Sequence, residues 1–137
     1  ITAGGIDLLA DTLASIMGES TTIPLIAITA GIMSWFSSTS GVVMPTLIPT
    51  IAPLLSSMGA TSITATAMVT AITATAHTAG VSPISTGGSM GLASYCSQTG
   101  CSEEEERKLF ASLFGVAILG VVFCSIFAFL GGFSLFA

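Results

Sequence analysis

Charged side chains are nearly absent from this sequence. Among its 137 residues are two Lys or Arg and seven Asp or Glu, and no residue of these four types occurs between Glu19 and Glu103. Soluble domains carry roughly 25% charged residues, against 7% here. Such a composition argues against a soluble fold with a charged surface. Two basic side chains are also too few to neutralise a phosphate backbone, so nucleic acid is not expected as a partner.

Histidine and cysteine are also scarce. His77 is the single histidine, and Cys96, Cys101 and Cys124 include no Cys-x-x-Cys pair. This spacing fits neither a metal site nor a disulfide framework, so we expect three free thiols that are buried or interfacial. No Ser-His-Asp, paired-carboxylate or Cys/His constellation occurs at a workable spacing, and Gly87-Gly88 lacks the Lys that follows in a phosphate loop. The sequence therefore predicts neither an enzyme nor a resident cofactor.

Apolar residues dominate instead. They make up 52% of the chain, and the mean hydropathy is +0.97. A transmembrane helix takes about 20 residues, so the length allows roughly four to six membrane segments. We predict an all-α, polytopic membrane domain of the cell inner (plasma) membrane, with the lipid bilayer as its solvent. The chain begins inside an apolar pattern without a signal peptide, and we interpret it as a fragment of a longer membrane protein.

Four segments are predicted along the chain. In the first, Asp7, Asp11 and Ser15 recur at helical spacing and share one face. Carboxylates in an apolar helix usually face a protein interior or water, so the two aspartates are either interior groups or solvated at the interface. The predicted segments are a helix end at 1–18, a helical hairpin at 20–58, a broken helix at 59–98 and a final transmembrane helix at 103–135.

The hairpin is predicted from a cluster of hydroxyl residues within an apolar stretch. The preceding run, 23–36, spans only about 21 Å as a helix, which is less than the roughly 30 Å of a hydrocarbon core. Backbone that leaves the helix at membrane depth is tolerated only where protein or water surrounds it. We therefore interpret this cluster as the tip of a re-entrant hairpin that faces a ligand. The hairpin tip is Ser37, Ser38, Thr39, Ser40 and Gly41.

Three prolines follow the tip and leave a second interpretation open. Pro45, Pro49 and Pro53 are spaced by four residues, so they lie on one helix face. Each removes a backbone donor and weakens the helix along that face. The segment is therefore either the second arm of a hairpin or the kinked half of one long spanning helix.

The third segment is a helix rich in Ala and Thr that ends in a second cluster of hydroxyls. Its hydroxyl face either lines a pathway or holds helices together, and we favour the latter. His77 on this face is either a proton relay or a hydrogen-bonded interior residue. Residues 80–88, called here the Pro83 break, then interrupt the helix, because a residue before proline disfavours helix and glycine permits unusual dihedrals. The hydroxyl face comprises Ser62, Thr66, Thr70, Thr73 and His77.

The last segment carries clear end signals. Ser102 and Glu105 have the spacing of a capping box at a helix N-terminus. The apolar run 109–130 is long enough to span a bilayer and ends at Gly131-Gly132. Arg107 and Lys108 lie just before it, and by the positive-inside rule this end is predicted to face the cytoplasm.

The order of these features resembles a known family. A hairpin with a Ser/Thr tip, a helix broken at a Ser/Thr-Pro turn and a last span resemble the C-terminal part of divalent-anion transporters of the ion transporter superfamily, including malonate-carrier-type dicarboxylate carriers. Sodium-coupled members carry Ser-Asn-Thr at the tip, matched here by Ser37-Ser38-Thr39, and Thr-Pro-Pro in the broken helix, matched by Ser82-Pro83-Ile84. Ser38 and Ile84 depart from that pattern. The resemblance implies an N-terminal half with an inverted repeat outside this sequence.

The resemblance implies secondary active transport of a small organic anion, a di- or tricarboxylate, coupled to sodium or protons. Hydroxyls and half-helix N-termini would bind the anion. Unwound carbonyls would bind Na⁺ as the coupling ion, and the chain would meet its missing half and can form a homodimer. The alternatives are a cation/proton antiporter that requires His77 or Asp11, and a structural membrane subunit without transport. The expected anion site is Ser37, Ser38, Thr39, Ser82, Pro83, Ser85 and Thr86, and the expected cation site is Ser38, Ser40, Gly41, Ser82 and Thr86.

Overall fold

A computed structural model describes residues 4–18, 20–59 and 62–136, and regular structure in these ranges is entirely helical. This agrees with the predicted all-α class. The elements are α1 (Gly5–Ile16), α2 (Thr22–Phe36), a π-turn (Thr39–Val43), α3 (Met44–Leu47), a 3₁₀ turn (Ile48–Thr50), α4 (Ile51–Met58), α5 (Ala65–Ala79), α6 (Thr86–Thr99), α7 (Glu103–Phe129) and a 3₁₀ helix (Gly132–Phe136).

The first helix packs beside the hairpin. Helix α1 contacts α4 and buries Leu13, whereas Asp11 and Ser15 are exposed. The predicted face also includes Asp7, whose side chain lies outside the described set. Asp11 therefore lies outside the contacts of α1 with the rest of the described chain, and both sequence-based interpretations stay open.

The segment 20–58 doubles back on itself. Helix α2 ends at Phe36, and Ser37 and Ser38 have extended backbone, with φ −142° and −75°. The chain then continues as one irregular helix, Thr39–Met58, called here the second arm. The hydroxyl of Thr22 donates to the sulfur of Met58 at 3.5 Å, so the start of α2 lies beside the end of the second arm. The chain therefore reverses direction between α2 and the second arm.

The prolines divide the second arm into short pieces. It passes from π-turn to α-helix, 3₁₀ turn and α-helix within 20 residues. Because proline has no N–H, the carbonyls four residues before Pro45, Pro49 and Pro53 lack their usual helical donor. One face of the arm is exposed and carries small residues and prolines. This proline face consists of Gly41, Pro45, Pro49, Ala52 and Ser56.

Helix α5 is the centre of the fold. It packs against α2, α7, parts of the second arm and the C-terminal 3₁₀ helix. The packing is close because small residues meet there: a Cβ added at Gly31 of α2 would lie 2.6 Å from Val121 of α7. The buried side chains of α5 are Ala67, Met68, Ala71, Ile72, Thr75, Ala76 and Ala79.

The predicted hydroxyl face of α5 points away from this core. Thr66 and His77 are exposed, and Thr70 and Thr73 are half-buried. Within the described residues this face lies mostly outside the helix contacts, and the expectation that it holds helices together remains a prediction. The buried contact surface of α5 consists of Ala, Ile and Met side chains together with Thr75, because small residues let helices approach closely.

Helix α7 begins at the predicted capping box. The Ser102 hydroxyl accepts from the Glu105 N–H, and the Glu105 carboxylate accepts from the Ser102 N–H at 2.8 Å. The helix runs antiparallel to α2, since Trp35 lies against Ala117 and Gly31 against Val121. By length and composition, Thr39–Met58 and Glu103–Phe129 are the two described helices able to cross a membrane.

The cysteines differ from expectation. Cys96 and Cys101 form a disulfide, with Cα atoms 4.9 Å apart, so the prediction of three free thiols is wrong for this pair. The five-residue spacing looked unsuited to a motif, but the turn at Gly100 (φ +67°) folds the end of α6 back on itself. Cys124 is a buried free thiol as predicted.

Candidate functional site

The hairpin tip and the Pro83 break lie against each other. The Ser82 hydroxyl donates to the backbone carbonyl of Trp35 at 2.9 Å, and the Thr39 hydroxyl donates to the carbonyl of Ala76 at 3.0 Å. The contact is tight, because a Cβ added at Gly80 would lie 2.7 Å from the Thr39 hydroxyl oxygen. The fold thus brings together two interruptions that are 40 residues apart in sequence.

These hydrogen bonds are reciprocal. Trp35 and Ala76 lie in the last turns of α2 and α5. The Trp35 carbonyl has no helical donor, whereas the Ala76 carbonyl also accepts from the N–H of Gly80, the C-cap of α5. A hydroxyl from the Pro83 break satisfies a carbonyl of α2, and a hydroxyl from the tip satisfies a carbonyl of α5. Each break therefore stabilises the end of the helix that precedes the other break, and each hydrogen bond contributes about 1 kcal/mol.

Three oxygens are crowded at the centre of this junction. The Ser34 hydroxyl lies 2.5 Å from the Thr39 hydroxyl and 2.7 Å from the Ala76 carbonyl, which Thr39 also contacts. Two hydroxyl hydrogens serve three oxygen–oxygen contacts, so one contact has no hydrogen between its oxygens. The Ala76 carbonyl also accepts from the N–H of Gly80 at 2.9 Å. Oxygen density of this kind, between two helix C-termini, favours a cation.

The Pro83 break is internally bonded. The Ser85 hydroxyl contacts the carbonyls of Gly80 and Ser82, at 2.6 and 2.8 Å, and accepts from the N–H of Gly88 at 3.1 Å. Ser82, Pro83 and Ser85 are all buried. Their predicted contact with an anion remains a prediction, and in this structure their hydroxyls serve the backbone.

The exposed part of the junction consists of helix starts. The tip presents Ser40 and Gly41, and Ser38 is half-buried with its hydroxyl accepting from the N–H of Gly41 at 3.1 Å. Thr86, the first residue of α6, is exposed. First-turn N–H groups have no helical acceptor and carry partial positive charge, which suits an anion. The Ser37 hydroxyl donates to the Met33 carbonyl within α2 at 2.7 Å, and its contact with an anion remains a prediction.

A cavity of about 430 Å³ adjoins the junction between α6 and α7. Glycines and aliphatic side chains line it, together with Tyr95. It offers few polar groups and is unsuited to a dianion. The hydroxyl cluster and the cavity are therefore different features, and the exposed helix starts are the better candidate for anion contact.

The titratable side chains that the structure describes lie outside the junction. The His77 ring is exposed, and its Nδ1 lies 2.8 Å from the carbonyl of Thr73, which assigns the proton to Nδ1. Glu105 is near the start of α7, where hydrogen bonds from the backbone and hydroxyl of Ser102 lower its pKa. Within the described ranges, no three His, Cys, Asp or Glu side chains group to hold a metal ion.

Sequence reasoning missed the partners of the predicted residues. Ser34 and the carbonyls of Trp35 and Ala76 complete the junction, and Gly80 makes room for it. Ser34 is a single hydroxyl in an apolar helix, four residues before Ser38, and that placement was its only signal. Backbone carbonyls leave no trace in composition, so their role could not be read from the sequence. Comparison with protein-family models, curated proteins and solved structures returned no match for this chain.

Proposed function

We propose that this chain is part of a secondary active transporter of a small organic anion, a di- or tricarboxylate, coupled to sodium or protons, in the cell inner membrane. The observation that carries the proposal is the reciprocal contact of the two breaks at Thr39–Ala76 and Ser82–Trp35. Broken helices that meet in one place are the usual architecture of transporter binding sites.

The depth of the contact supports the proposal. The apolar part of α7, residues 109–130, is about 33 Å long as a helix, close to the thickness of a hydrocarbon core. Trp35 contacts Ala117, and Thr78 lies against Gly120, both close to the middle of that run. A hairpin whose tip reaches this level would be re-entrant and would place both breaks near the midplane, where transporters bind substrate.

Polarity at the junction favours two ligands of opposite charge. The C-terminal ends of α2 and α5 surround the oxygen cluster of Ser34, Thr39 and Ala76, which suits Na⁺. The π-turn and α6 begin at Thr39 and Thr86, beside the exposed Ser40 and Thr86 side chains, and the partial positive charge of a helix start suits a carboxylate. This division assigns the anion to the exposed rim and the coupling cation to the buried oxygens.

A structural membrane subunit without transport is the second candidate. The observation in its favour is that the hydroxyls of Ser37, Ser82 and Ser85 all donate to backbone carbonyls of the chain itself. In that case the two breaks would be packing features only. A cation/proton antiporter would instead require His77 or Asp11, both of which are exposed.

The deciding experiment measures uptake of radiolabelled C4 dicarboxylate and of citrate into vesicles with the full-length protein, under a sodium or a proton gradient. Thr39→Val keeps the shape but removes the hydroxyl, and we expect about tenfold slower uptake and weaker sodium dependence. Thr39→Ser should restore both, whereas Thr70→Val, on the outer face of α5, is the matched control. Wild-type uptake by Thr39→Val, or no uptake by the wild type, would favour the structural subunit.

A further inference from the structure

The Cys96–Cys101 disulfide bears on the orientation of the chain. Cys96 lies in the last turns of α6, and Cys101 directly precedes Ser102, the N-cap of α7. Disulfides persist in the periplasm, in the endoplasmic reticulum lumen and at cell surfaces, and thiols in the cytosol are kept reduced. A disulfide at one end of a spanning helix therefore marks the compartment on that side.

The hairpin opens at the opposite end of α7. Helices α2 and α7 are antiparallel, so the start of α2 lies towards the C-terminal end of α7. At that end Thr22 meets Met58, which closes the two arms into the mouth of the hairpin. The disulfide and the hairpin mouth thus lie at different ends of the bundle, with the two breaks between them.

We propose that the turn with Cys96 and Cys101 faces the oxidising compartment and that the mouth of the hairpin faces the cytoplasm. The proposal rests on the membrane placement argued above and adds its direction. In forming the bond, the two thiols lose two protons and two electrons to a disulfide-bonded oxidoreductase of that compartment, whose own disulfide is reduced to two thiols.

This orientation reverses the one that the positive-inside rule predicts from Arg107 and Lys108. The two basic residues directly follow four glutamates, and Lys108 pairs with Glu104 at 2.8 Å. They are also the only basic residues of the sequence, so no other loop provides a comparison. A disulfide requires a chemical environment, whereas two cations give only a statistical bias. The disulfide is therefore the stronger indicator.

The first test uses the full-length protein in intact cells with a bulky membrane-impermeant maleimide. We expect Cys96 and Cys101 to react only after treatment with a membrane-impermeant phosphine, which produces a gel shift of two reagent masses. The double variant Cys96→Ser/Cys101→Ser is the control and should not shift. Labelling without the phosphine, or only after permeabilisation, would overturn the proposal. Mass spectrometry of unreduced wild-type peptides tests the presence of the disulfide itself without any variant.

The second test places single cysteines at the two ends in the Cys96→Ser/Cys101→Ser background. Ser97→Cys, beside the disulfide, should react in intact cells, and Ser57→Cys, beside the hairpin mouth, only in permeabilised cells; both serines are exposed. The reverse pattern would overturn the orientation. If both cysteines react on one side and the protein leaves the membranes in carbonate, the membrane placement itself fails, which is a distinguishable result.

Discussion

The two breaks are built differently although each consists of hydroxyl residues at a helix end. The hairpin tip leaves the helix for two residues only, and none of its five residues is buried: Ser40 and Gly41 are exposed and the other three are half-buried. The Pro83 break buries Ser82, Pro83 and Ser85. The Ser85 hydroxyl bonds to carbonyls of the break itself, and the Ser82 hydroxyl donates to the Trp35 carbonyl of α2. The difference indicates that the Pro83 break acts as a rigid frame. The hairpin tip is then the surface that this frame supports.

The largest loss of stability is expected at Gly88, where the rigid frame has no room for a side chain. A Cβ at Gly88 would lie 2.0 Å from the carbonyl oxygen of Ser82, and backbone cannot move away as a side chain can. We expect Gly88→Ala to destabilise the protein by about 3 kcal/mol, measured by thermal unfolding in detergent. Gly91→Ala, one turn later in α6, has no atom within 4 Å and is the matched control. Equal melting temperatures for both variants would contradict a rigid frame.

A smaller effect is expected at the contact between the two breaks. A Cβ at Gly80 would approach the Thr39 hydroxyl to 2.7 Å, and that side chain can rotate. Gly80→Ala should cost about 1–2 kcal/mol and slow uptake of the labelled dicarboxylate. Removing the opposing hydroxyl in Gly80→Ala/Thr39→Ala should relieve part of the stability loss. Additive losses in the double-mutant cycle would mean that the breaks do not interact energetically.

Substitutions at Ser82 and Ser38 compare the rigid frame with the tip surface directly. Ser82→Ala leaves the Trp35 carbonyl without its donor in a buried setting, which should cost about 1–2 kcal/mol in unfolding free energy. Ser38→Ala removes only a half-buried cap on the Gly41 N–H and should cost less than about 1 kcal/mol. Uptake should respond in the opposite order if the tip is the binding surface. Equal effects of the two substitutions on stability and on uptake would contradict the division into a rigid frame and a binding surface.

The smallest effect on stability is expected at Glu105, which lies outside both breaks. It serves as a baseline for the effects within the breaks. Hydrogen bonds from Ser102 hold the Glu105 pKa below 4.5, so they stabilise the start of α7 above that pH, and this contribution is lost as the pH falls through the lowered pKa. The Glu105→Gln variant should lack this acid dependence while keeping wild-type uptake at neutral pH. Melting curves between about pH 6 and 3 would test it, and an identical acid response in both proteins would contradict it.

The sequence predicted the parts of the fold that depend on local chemistry. The helix ends at Phe36, the break around Pro83 and the capping box at Ser102 all follow from proline, hydroxyl and charge positions near in sequence. It could not predict which side of α5 meets α2, because Ala and Thr differ little in helix packing and the choice depends on close approach at Gly31. The disulfide escaped prediction for a similar reason, since it depends on one turn at Gly100.

The proline face of the second arm limits what this surface can touch. Because proline has no N–H, the carbonyls of Gly41, Pro45 and Pro49 lack the donor that an α-helix would give them four residues later, and these residues are exposed. Lipid acyl chains have no hydrogen-bond donors, whereas water and a neighbouring polypeptide do. Helix α7, by contrast, turns Leu119, Phe123 and other large side chains outward. In a bilayer we therefore expect the outer face of α7 to contact lipid and the proline face to contact water or protein.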